Sequence, residues 1–386
     1  MLYAKKLKKN DLIGVCAPAS PVDRESLNKG IRFLKKLGLQ IILGKNIYQR
    51  NHYLAGTDEQ RLDDFNTLLK DDNVKAIFFA RGGYGTARIA PFIDYEWIRK
   101  HPKIIWGFSD ITYLHIAIFQ KTGLITFHGP MVSSFGNEKV DEITKNEIYQ
   151  LFSPSIRTYD ETISPLHVLV EGKSTGRIIG GNLSLIVRTI GTPYEIDLKN
   201  KILFIEDTGE KLYKIDFLIN QLKQSKKLDE LAGVVIGDFN DVFIEDKEIL
   251  NKFYEDEKPT QQNVENEREK NKQNKYVQKQ NVSKEIYEKK GNLEENNEHQ
   301  LVKNETTTIS HQNQLKLQMD KSAIHRQQLE QQLLNQLFYH YFKDLQIPVM
   351  SGFKIGHCFP NFAIPFGAHA KLCTRNKQLI IEPGVK

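Results

Sequence analysis

Ser109 stands at a corner between a short apolar run at residues 104–106 and a segment whose apolar residues recur at helical spacing. Gly107 permits a tight turn between the two. A serine at such a strand-to-helix corner projects its hydroxyl as a nucleophile, and the backbone N–H of Asp110 is then expected to be free to hold an oxyanion. The second glycine of the usual Gly-x-Ser-x-Gly pattern is absent, so a serine N-cap on the following helix is the alternative.

A glycine-rich loop, residues 80–86, follows another apolar run at residues 74–79. Three glycines in four residues let the backbone approach a ligand, and N–H groups at a helix start can hold a phosphate, a carboxylate or an oxyanion. The loop fits neither GxGxxG nor GxxxxGK[ST], so it is not predicted to be a nucleotide fingerprint. A tight turn without a ligand is the alternative.

A carboxylate and a histidine complete a possible catalytic set. Glu206 and Asp207 directly follow a strand-like run, where a carboxylate can orient a histidine or simply cap a helix. His357 follows a glycine and precedes a proline-rich turn, which suits a general base. The order Ser109, Glu206, His357 supplies a nucleophile, a carboxylate that holds the imidazole, and a base that takes the serine proton. Sequence alone does not show that the three meet.

These residues need a scaffold that brings them together. Strands alternate with helices from residue 12 onward, which predicts an α/β protein with a parallel sheet whose following loops share one edge. The glycine-rich loop and the Ser109 corner both leave such strands, so they can converge on one reacting atom. His128 would end on the same rim, either as a substrate contact or as a hydrogen-bonded rim histidine.

The chain divides by composition. We predict a nucleophile-bearing domain at residues 1–150, a polar linker at 151–170, and a second domain at 171–386 that carries Glu206 and His357. This second domain is interrupted at about 255–320: of the 57 residues from 257 to 313, 17 are Asn or Gln and 10 are apolar. Such a stretch buries too little apolar surface to offset its chain entropy, so we predict a disordered or loosely helical insertion. An amphipathic helix is expected after it, with an apolar stripe at Leu329, Leu333, Leu337 and Tyr341.

Length and composition narrow the class of protein. With 386 residues and 40% hydrophobic residues, a soluble protein with two sizeable cores is expected. The net charge of +6 is spread over many segments, so no nucleic-acid partner is predicted. The absence of a convincing signal peptide and of a spanning apolar run predicts a cytoplasmic protein that does not enter the membrane. Three cysteines without a CxxC pair argue against a disulfide framework and against a zinc site.

Several motifs together resemble the LD-carboxypeptidase family of serine peptidases, which also contains the microcin C self-immunity proteins. They are spread over almost the whole chain outside the insertion. The matching segments are residues 14–21, 81–85, 107–112, 128–130, 180–183, 206–207 and 356–357.

The resemblance implies a Ser-Glu-His triad at Ser109, Glu206 and His357, and an oxyanion hole from the backbone N–H groups of Gly83 and Asp110. It also implies a Rossmann-like N-terminal domain with a smaller mixed α/β C-terminal domain, commonly a homodimer, and activity without a metal or other cofactor. Candidate substrate contacts are Arg81, Tyr84 and His128, with Arg81 alternatively bracing its own loop. The chain departs from the family pattern in its insertion and at Phe217, where an arginine is expected.

Three functions remain open at this stage. The first is removal of the terminal D-alanine from cytoplasmic murein tetrapeptides in cell-wall recycling. The second is hydrolysis of a peptidyl or aminoacyl nucleotide by the same triad, as in the microcin C immunity branch. The third is a non-catalytic ligand-binding module, which predicts that His357 lies beyond hydrogen-bond reach of Ser109.

Overall fold

The computed structural model of this chain describes residues 1–242 and 328–386. The predicted insertion at about 255–320 lies outside the described residues. The described residues form two β-sheets with helices packed against them, which confirms the α/β prediction. Within these ranges, none of the helices combines the length and the apolar character needed to cross a membrane.

The first sheet has six strands, five of them parallel. Its strands are β1 (Leu12–Cys16), β2 (Gln40–Leu43), β3 (Val74–Phe79), β4 (Ile104–Gly107), β5 (Thr126–His128) and, much later in the chain, β12 (Ile364–Phe366). The spatial order is β12-β5-β4-β3-β1-β2, with β12 antiparallel to β5. Every residue of β4 is buried, as expected for an inner parallel strand that is covered on both faces.

The helices associated with the first sheet largely connect its strands. They are α1 (Arg24–Lys36), α2 (Asp58–Lys70), α3 (Thr86–Ile89), α4 (Tyr95–Lys100), α5 (Ile111–Thr122) and α6 (Glu142–Asn146). The helix predicted after Ser109 is α5, and every residue from Ile111 to Phe119 is buried. Continuous burial of this kind marks a central helix rather than a surface helix with one apolar face. The serine corner is therefore anchored by the core of the molecule.

The second sheet has eight strands and is mixed. Its strands are β6 (Arg157–Tyr159), β7 (His167–Val170), β8 (Lys173–Asn182), β9 (Lys201–Thr208), β10 (Gly233–Asn240), β11 (Val349–Ser351), β13 (His369–Cys373) and β14 (Gln378–Ile381). The spatial order is β6-β14-β13-β8-β9-β10-β11-β7, in which β8 to β11 are mutually parallel and the outer pairings are antiparallel. The parallel centre of this sheet places the ends of β9 and β11, which lead to Glu206 and His357, on one edge.

Three helices accompany the second sheet: α7 (Leu183–Val187), α8 (Leu212–Gln224) and α9, helical over 328–342. Of the predicted apolar stripe on α9, Leu329 is buried as expected, but from Leu333 onward the most deeply buried positions lie one residue later. The buried side chains of this helix in the core of the second sheet are Leu334, Phe338 and Phe342, whereas Leu333, Leu337 and Tyr341 are half-buried.

Two kinds of strand pairing were not anticipated by the predicted division of the chain into domains. Residues 151–170, interpreted as a linker, contain β6 and β7, which both pair within the second sheet. The strand β12 returns to the edge of the first sheet beside β5, so the chain after residue 171 contributes to both sheets. The second sheet also has more strands than the first, although the C-terminal domain was expected to be the smaller. The domain boundaries themselves stay a prediction.

Candidate active site

Three side chains from distant parts of the chain form one hydrogen-bonded row. The Nε2 atom of His357 lies 3.0 Å from the Oγ atom of Ser109, and its Nδ1 atom lies 2.7 Å from the Oε2 atom of Glu206. Ser109 sits between β4 and α5, Glu206 lies in β9, and His357 follows β11. The structure thus brings together the three residues that the sequence singled out, with the imidazole between the hydroxyl group and the carboxylate.

Ser109 occupies a backbone conformation that few non-glycine residues adopt. Its φ angle is +62°, in the left-handed region. Such a conformation costs on the order of 1 kcal/mol or more and persists where the surrounding structure enforces it. The buried β4 strand before it and the buried α5 helix after it provide that constraint. The serine therefore lies at a sharp strand-to-helix corner, the geometry of a nucleophile elbow.

The glycine-rich loop lies directly against the serine. A Cβ atom at Gly82 would stand 2.9 Å from the Cβ atom and 3.0 Å from the Oγ atom of Ser109, so the loop approaches this closely only because residue 82 is glycine. Gly83 has a φ angle of +114°, and a Cβ atom there would lie 2.2 Å from the Oγ atom of Ser20. Both positions therefore require glycine to keep the loop over the hydroxyl group.

Two backbone donors near Ser109 have no acceptor within the described part of the chain. Among the described residues, neither the N–H group of Gly83 nor that of Asp110 donates a hydrogen bond to a protein atom. An oxyanion hole needs such unpaired donors beside the nucleophile. The pair fits the predicted oxyanion hole, and its catalytic role stays a prediction.

The side chain of Asp110 has a role that the sequence did not reveal. Its Oδ2 atom accepts a hydrogen bond of 2.9 Å from the backbone N–H of Thr86, and the Thr86 hydroxyl donates to the backbone oxygen of Asp110 at 2.7 Å. Thr86 is the last residue of the glycine-rich loop and the first of α3, so these bonds tie the loop to the serine corner. A carboxylate that satisfies the first N–H of a helix is a common contact, which is the signal that could have suggested it.

Glu206 is fully buried yet ionised. Burial alone would raise its pKa, but the charge of the His357 imidazolium and the side-chain contacts with His128 and His357 lower the pKa to about 2. Gly356, with a φ angle of +106°, makes the close approach possible, because a Cβ atom there would lie 2.4 Å from the Oε2 atom of Glu206. Conversely, burial would lower the pKa of His357, but the charge and hydrogen bond of Glu206 raise it.

The neighbouring carboxylate, Asp207, is used differently. It accepts hydrogen bonds from the side-chain amide of Asn182 at 2.8 Å and from the backbone N–H and hydroxyl of Ser184 at 2.9 and 2.8 Å. Burial and the adjacent charge of Glu206 raise the pKa of Asp207 to about 6. Of the two adjacent carboxylates, Glu206 therefore contacts the histidine, whereas Asp207 accepts hydrogen bonds from the first turn of α7, whose N-cap is Asn182.

His128 lies in a different place from the predicted one. Its side chain is completely buried, and its Nε2 atom lies 3.6 Å from the Oε1 atom of Glu206. The rings of Phe108 and Phe204 contact it edge to face, with centroids 5.8 and 5.1 Å away. Since the ring is fully buried beside the carboxylate, the structure does not support a direct substrate contact by His128, and that contact stays an untested prediction.

Arg81 and Tyr84 stay at the exposed rim of the loop. A guanidinium N–H of Arg81 donates to the backbone oxygen of Pro21 at 3.0 Å, which supports the bracing role that was the alternative. The ring of Tyr84 is 43% exposed and contacts the edge of Tyr53 at a centroid distance of 5.8 Å. Both residues are accessible to a ligand, and their contact with substrate stays a prediction.

A partly buried ion pair near His357 was not predicted either. The Nζ atom of Lys354 lies 2.6 Å from the Oδ2 atom of Asp238, just before the loop that carries the histidine. The charge of Asp238 adds to the effects that raise the pKa of His357. No group of three or more His, Cys, Asp or Glu side chains in the described ranges is arranged to hold a metal ion.

Comparison with known proteins identifies the family of the chain. Two family models match: "LD-carboxypeptidase N-terminal domain" over residues 13–129 and "LD-carboxypeptidase C-terminal domain" over residues 175–277 and 313–372. A protein of Bacillus subtilis (strain 168) named "Probable murein peptide carboxypeptidase" is 40% identical over 382 residues, which cover 99% of this chain and 94% of that protein.

A second relative and a solved structure point to the same group. The "Microcin C7 self-immunity protein MccF" of Escherichia coli is 32% identical over 267 residues, 61% of this chain and 78% of its own length. The solved structure of microcin C7 self immunity protein MccF in the wild type apo state has a TM-score of 0.71 at 24% identity, and the match covers 99% of this chain and 98% of that one. At that identity the structural match shows the shared fold.

Proposed function

Since this chain belongs to the LD-carboxypeptidase family of serine peptidases, we propose that it removes the terminal D-alanine from murein tetrapeptides in cell-wall recycling. The chain is a hydrolase of the serine carboxypeptidase type. The bond in question is the amide between an L-centre and the D-alanine that ends the peptide. The murein substrate is taken from the name of the Bacillus subtilis relative.

The proposed nucleophile is Ser109, activated by His357. As the Oγ atom attacks the carbonyl carbon, the Nε2 atom of His357 accepts the serine proton across the 3.0 Å contact. The Glu206 carboxylate, 2.7 Å from the Nδ1 atom, fixes the imidazole tautomer and stabilises the imidazolium that forms.

The tetrahedral intermediate then needs donors for its oxygen. We assign these to the backbone N–H groups of Gly83 and Asp110, which donate to no atom of the described residues. His357 returns the proton to the departing amine of D-alanine, leaving an acyl-enzyme on Ser109. Water, deprotonated by the same histidine, releases the tripeptide and regenerates the serine.

The observation that carries the proposal is the meeting of Ser109, Glu206 and His357. These residues are separated by up to 248 positions in the chain, yet their polar atoms are within hydrogen-bond distance. A non-catalytic ligand-binding module on the same fold predicted a gap between His357 and Ser109, and the 3.0 Å distance does not favour it.

The direct test is release of D-alanine from a purified murein tetrapeptide. The wild-type protein is expected to release it without added metal and to leave the same peptide ending in L-alanine intact. Ser109→Ala should lower kcat by at least about 1,000-fold, because no other hydroxyl group replaces the nucleophile. Ser225→Ala, at the end of α8, is the matched control and should keep full activity. Full activity of Ser109→Ala would contradict the proposal.

A peptidyl or aminoacyl nucleotide is the second candidate substrate. The 32% identity to the Escherichia coli self-immunity protein is the observation that favours it. The same triad would act, with a different pocket around the leaving group. Turnover of a murein tetrapeptide and of an aminoacyl sulfamoyl or phosphoryl adenosine, compared as kcat/KM on one preparation, separates the two.

We further propose a cytoplasmic homodimer with no nucleic-acid or membrane partner. The location follows from the proposed use of recycled cell-wall peptides, and the dimer from the family resemblance. Light scattering on the purified protein tests the oligomeric state, and cell fractionation tests the location.

A further inference from the structure

Polar atoms without partners meet on the inner side of Glu206. The Oε1 atom of Glu206 and both ring nitrogens of His128 are fully buried and lack any hydrogen-bond partner in the described part of the chain. A buried polar atom without a partner costs on the order of 1–3 kcal/mol, and more when it is charged. The carboxylate oxygen and the Nε2 atom face each other at 3.6 Å, slightly beyond normal hydrogen-bond length.

The position of His128 is fixed from all sides. Its backbone pairs with Gly107 of β4, two residues before Ser109, and with Ile364 of β12. Its ring lies against the rings of Phe108 and Phe204. A side chain held this firmly can impose an orientation on a carboxylate beside it.

The contact needs only a small adjustment to become a hydrogen bond. A shift of about 0.6 Å would bring 3.6 Å to the usual N–H···O length, and catalytic hydrogen bonds are often long in the absence of substrate. No other atom of the described residues competes for the Oε1 atom. The pairing would satisfy one donor and one acceptor at once.

We propose that His128 is a positioning residue that donates its Nε2–H to the Oε1 atom of Glu206 and thereby holds the Oε2 atom toward His357. The inference rests on the proposed function of the Ser109 site and adds a fourth member behind the carboxylate. Glu206 then lies between two imidazoles: the outer one exchanges a proton with Ser109, and the inner one keeps its proton throughout.

The ionisable groups around Glu206 determine which titration the pH dependence of kcat/KM reports. Besides His128, the Glu206 carboxylate is near His357, the adjacent Asp207 and, more distantly, Asp238. His115 stands behind His128, at a ring-centroid distance of 6.4 Å, with its own Nε2 atom 2.7 Å from the backbone oxygen of Gly107. The acidic limb of kcat/KM therefore belongs to the Glu206 and His357 pair, and His128 acts on it through Glu206.

Two nearly isosteric replacements separate donation from packing. His128→Gln keeps an N–H donor, whereas His128→Met has a similar size and no donor. The Met variant should lose about 10- to 100-fold in kcat with KM within about twofold, because a hydrogen bond to a charged group is lost. Its acidic limb should move to higher pH, since a carboxylate without its donor binds protons more tightly. The Gln variant should keep the wild-type limb and most of kcat. Equal behaviour of the two folded variants would overturn the proposal.

A measurement on the wild-type protein decides the matter without any variant. Nitrogen-15 NMR of histidine-labelled protein reports which ring nitrogen of His128 carries the proton. We expect the Nε2–H form, and a ring protonated only at Nδ1 would overturn the proposal even if both variants fail to fold. This readout needs no substrate, so it is independent of the D-alanine assay, whose failure would instead contradict the proposed function.

Discussion

At the scale of single residues, we expect the reaction to depend on whether His357, the proposed base, is neutral. Burial would lower the pKa of His357, but Glu206 raises it above the ordinary value. Below the raised pKa the imidazole is protonated and cannot accept the proton of Ser109, so activity is lost as the pH falls through it. We expect the acidic limb of kcat/KM above about pH 6.5, the ordinary value for histidine. A pH profile with its midpoint well below that value would contradict the assigned pair.

Replacement of the carboxylate should change both the rate and the profile. Glu206→Gln keeps the shape of the side chain but removes its charge, so the imidazolium is no longer stabilised. We expect kcat to fall by about 1,000- to 10,000-fold and the acidic limb to move to lower pH. Glu161→Gln is a suitable control, because Glu161 pairs with Lys377 at the surface. If Glu206→Gln is as active as this control, Glu206 is not the orienting group.

Residue types at strand ends made Ser109, Glu206 and His357 candidates, and the family resemblance assigned them the triad roles, which stay a prediction. The position of His128 could not be predicted in the same way. Whether a residue at the end of a short strand faces solvent or a second sheet depends on pairings that local sequence does not encode. The side-chain bond from Asp110 to Thr86 depends likewise on two loops meeting in space.

At the scale of elements, the glycine-rich loop packs so closely against Ser109 that no side chain fits at Gly82. Gly82→Ala would place a Cβ atom 2.9 Å from the Cβ atom of Ser109, so either the loop or the nucleophile must move. A displacement of about 1 Å at a reacting group costs about 100-fold in rate. We therefore expect kcat/KM of Gly82→Ala to fall by about 100-fold, with little change in Tm.

The control for this variant has the opposite expected outcome. Gly123 ends α5 with a φ angle of +71°, and a Cβ atom added there would meet no atom of the described residues within 4 Å. Gly123→Ala should lower the free energy of unfolding by about 1 kcal/mol and leave kcat/KM unchanged. If Gly82→Ala instead loses stability and keeps activity, the loop is only a tight turn without a ligand, which is the alternative that the sequence analysis left open.

Strands and helices with continuous or periodic apolar residues could be predicted, and β1 to β5 and α5 follow those patterns. The return of β12 to the first sheet could not, because it pairs with β5 across more than 230 residues of chain. Pairings of such long range are decided by the packing of the whole core and leave no local signal.

At the scale of the whole molecule, part of the chain is expected to be dispensable for catalysis. The family model for the C-terminal domain matches residues 175–277 and 313–372 and leaves 278–312 unmatched. That stretch lies outside the described residues, and its polar composition predicts no contribution to a core.

Removal of residues 278–312 should therefore leave kcat/KM within about twofold of the wild-type value. The entropic cost of closing a loop depends only weakly on its length, so shortening this insertion should also change Tm little. The strand that leads to His357, β11, is held by its own pairing with β10 and β7. A shortened protein that folds but no longer releases D-alanine would show that the insertion takes part in the reaction.

The placement of the nucleophile and the base on different sheets also bears on when the enzyme can act during its synthesis. Ser109 leaves the ribosome early, on a sheet whose first five strands are consecutive in the chain. His357 emerges only after the insertion, and β12, which closes the edge of that first sheet, emerges later still. A nascent chain therefore carries Ser109 before it carries His357, the proposed base. We expect peptide hydrolysis to begin only once translation has passed the histidine and both sheets have folded.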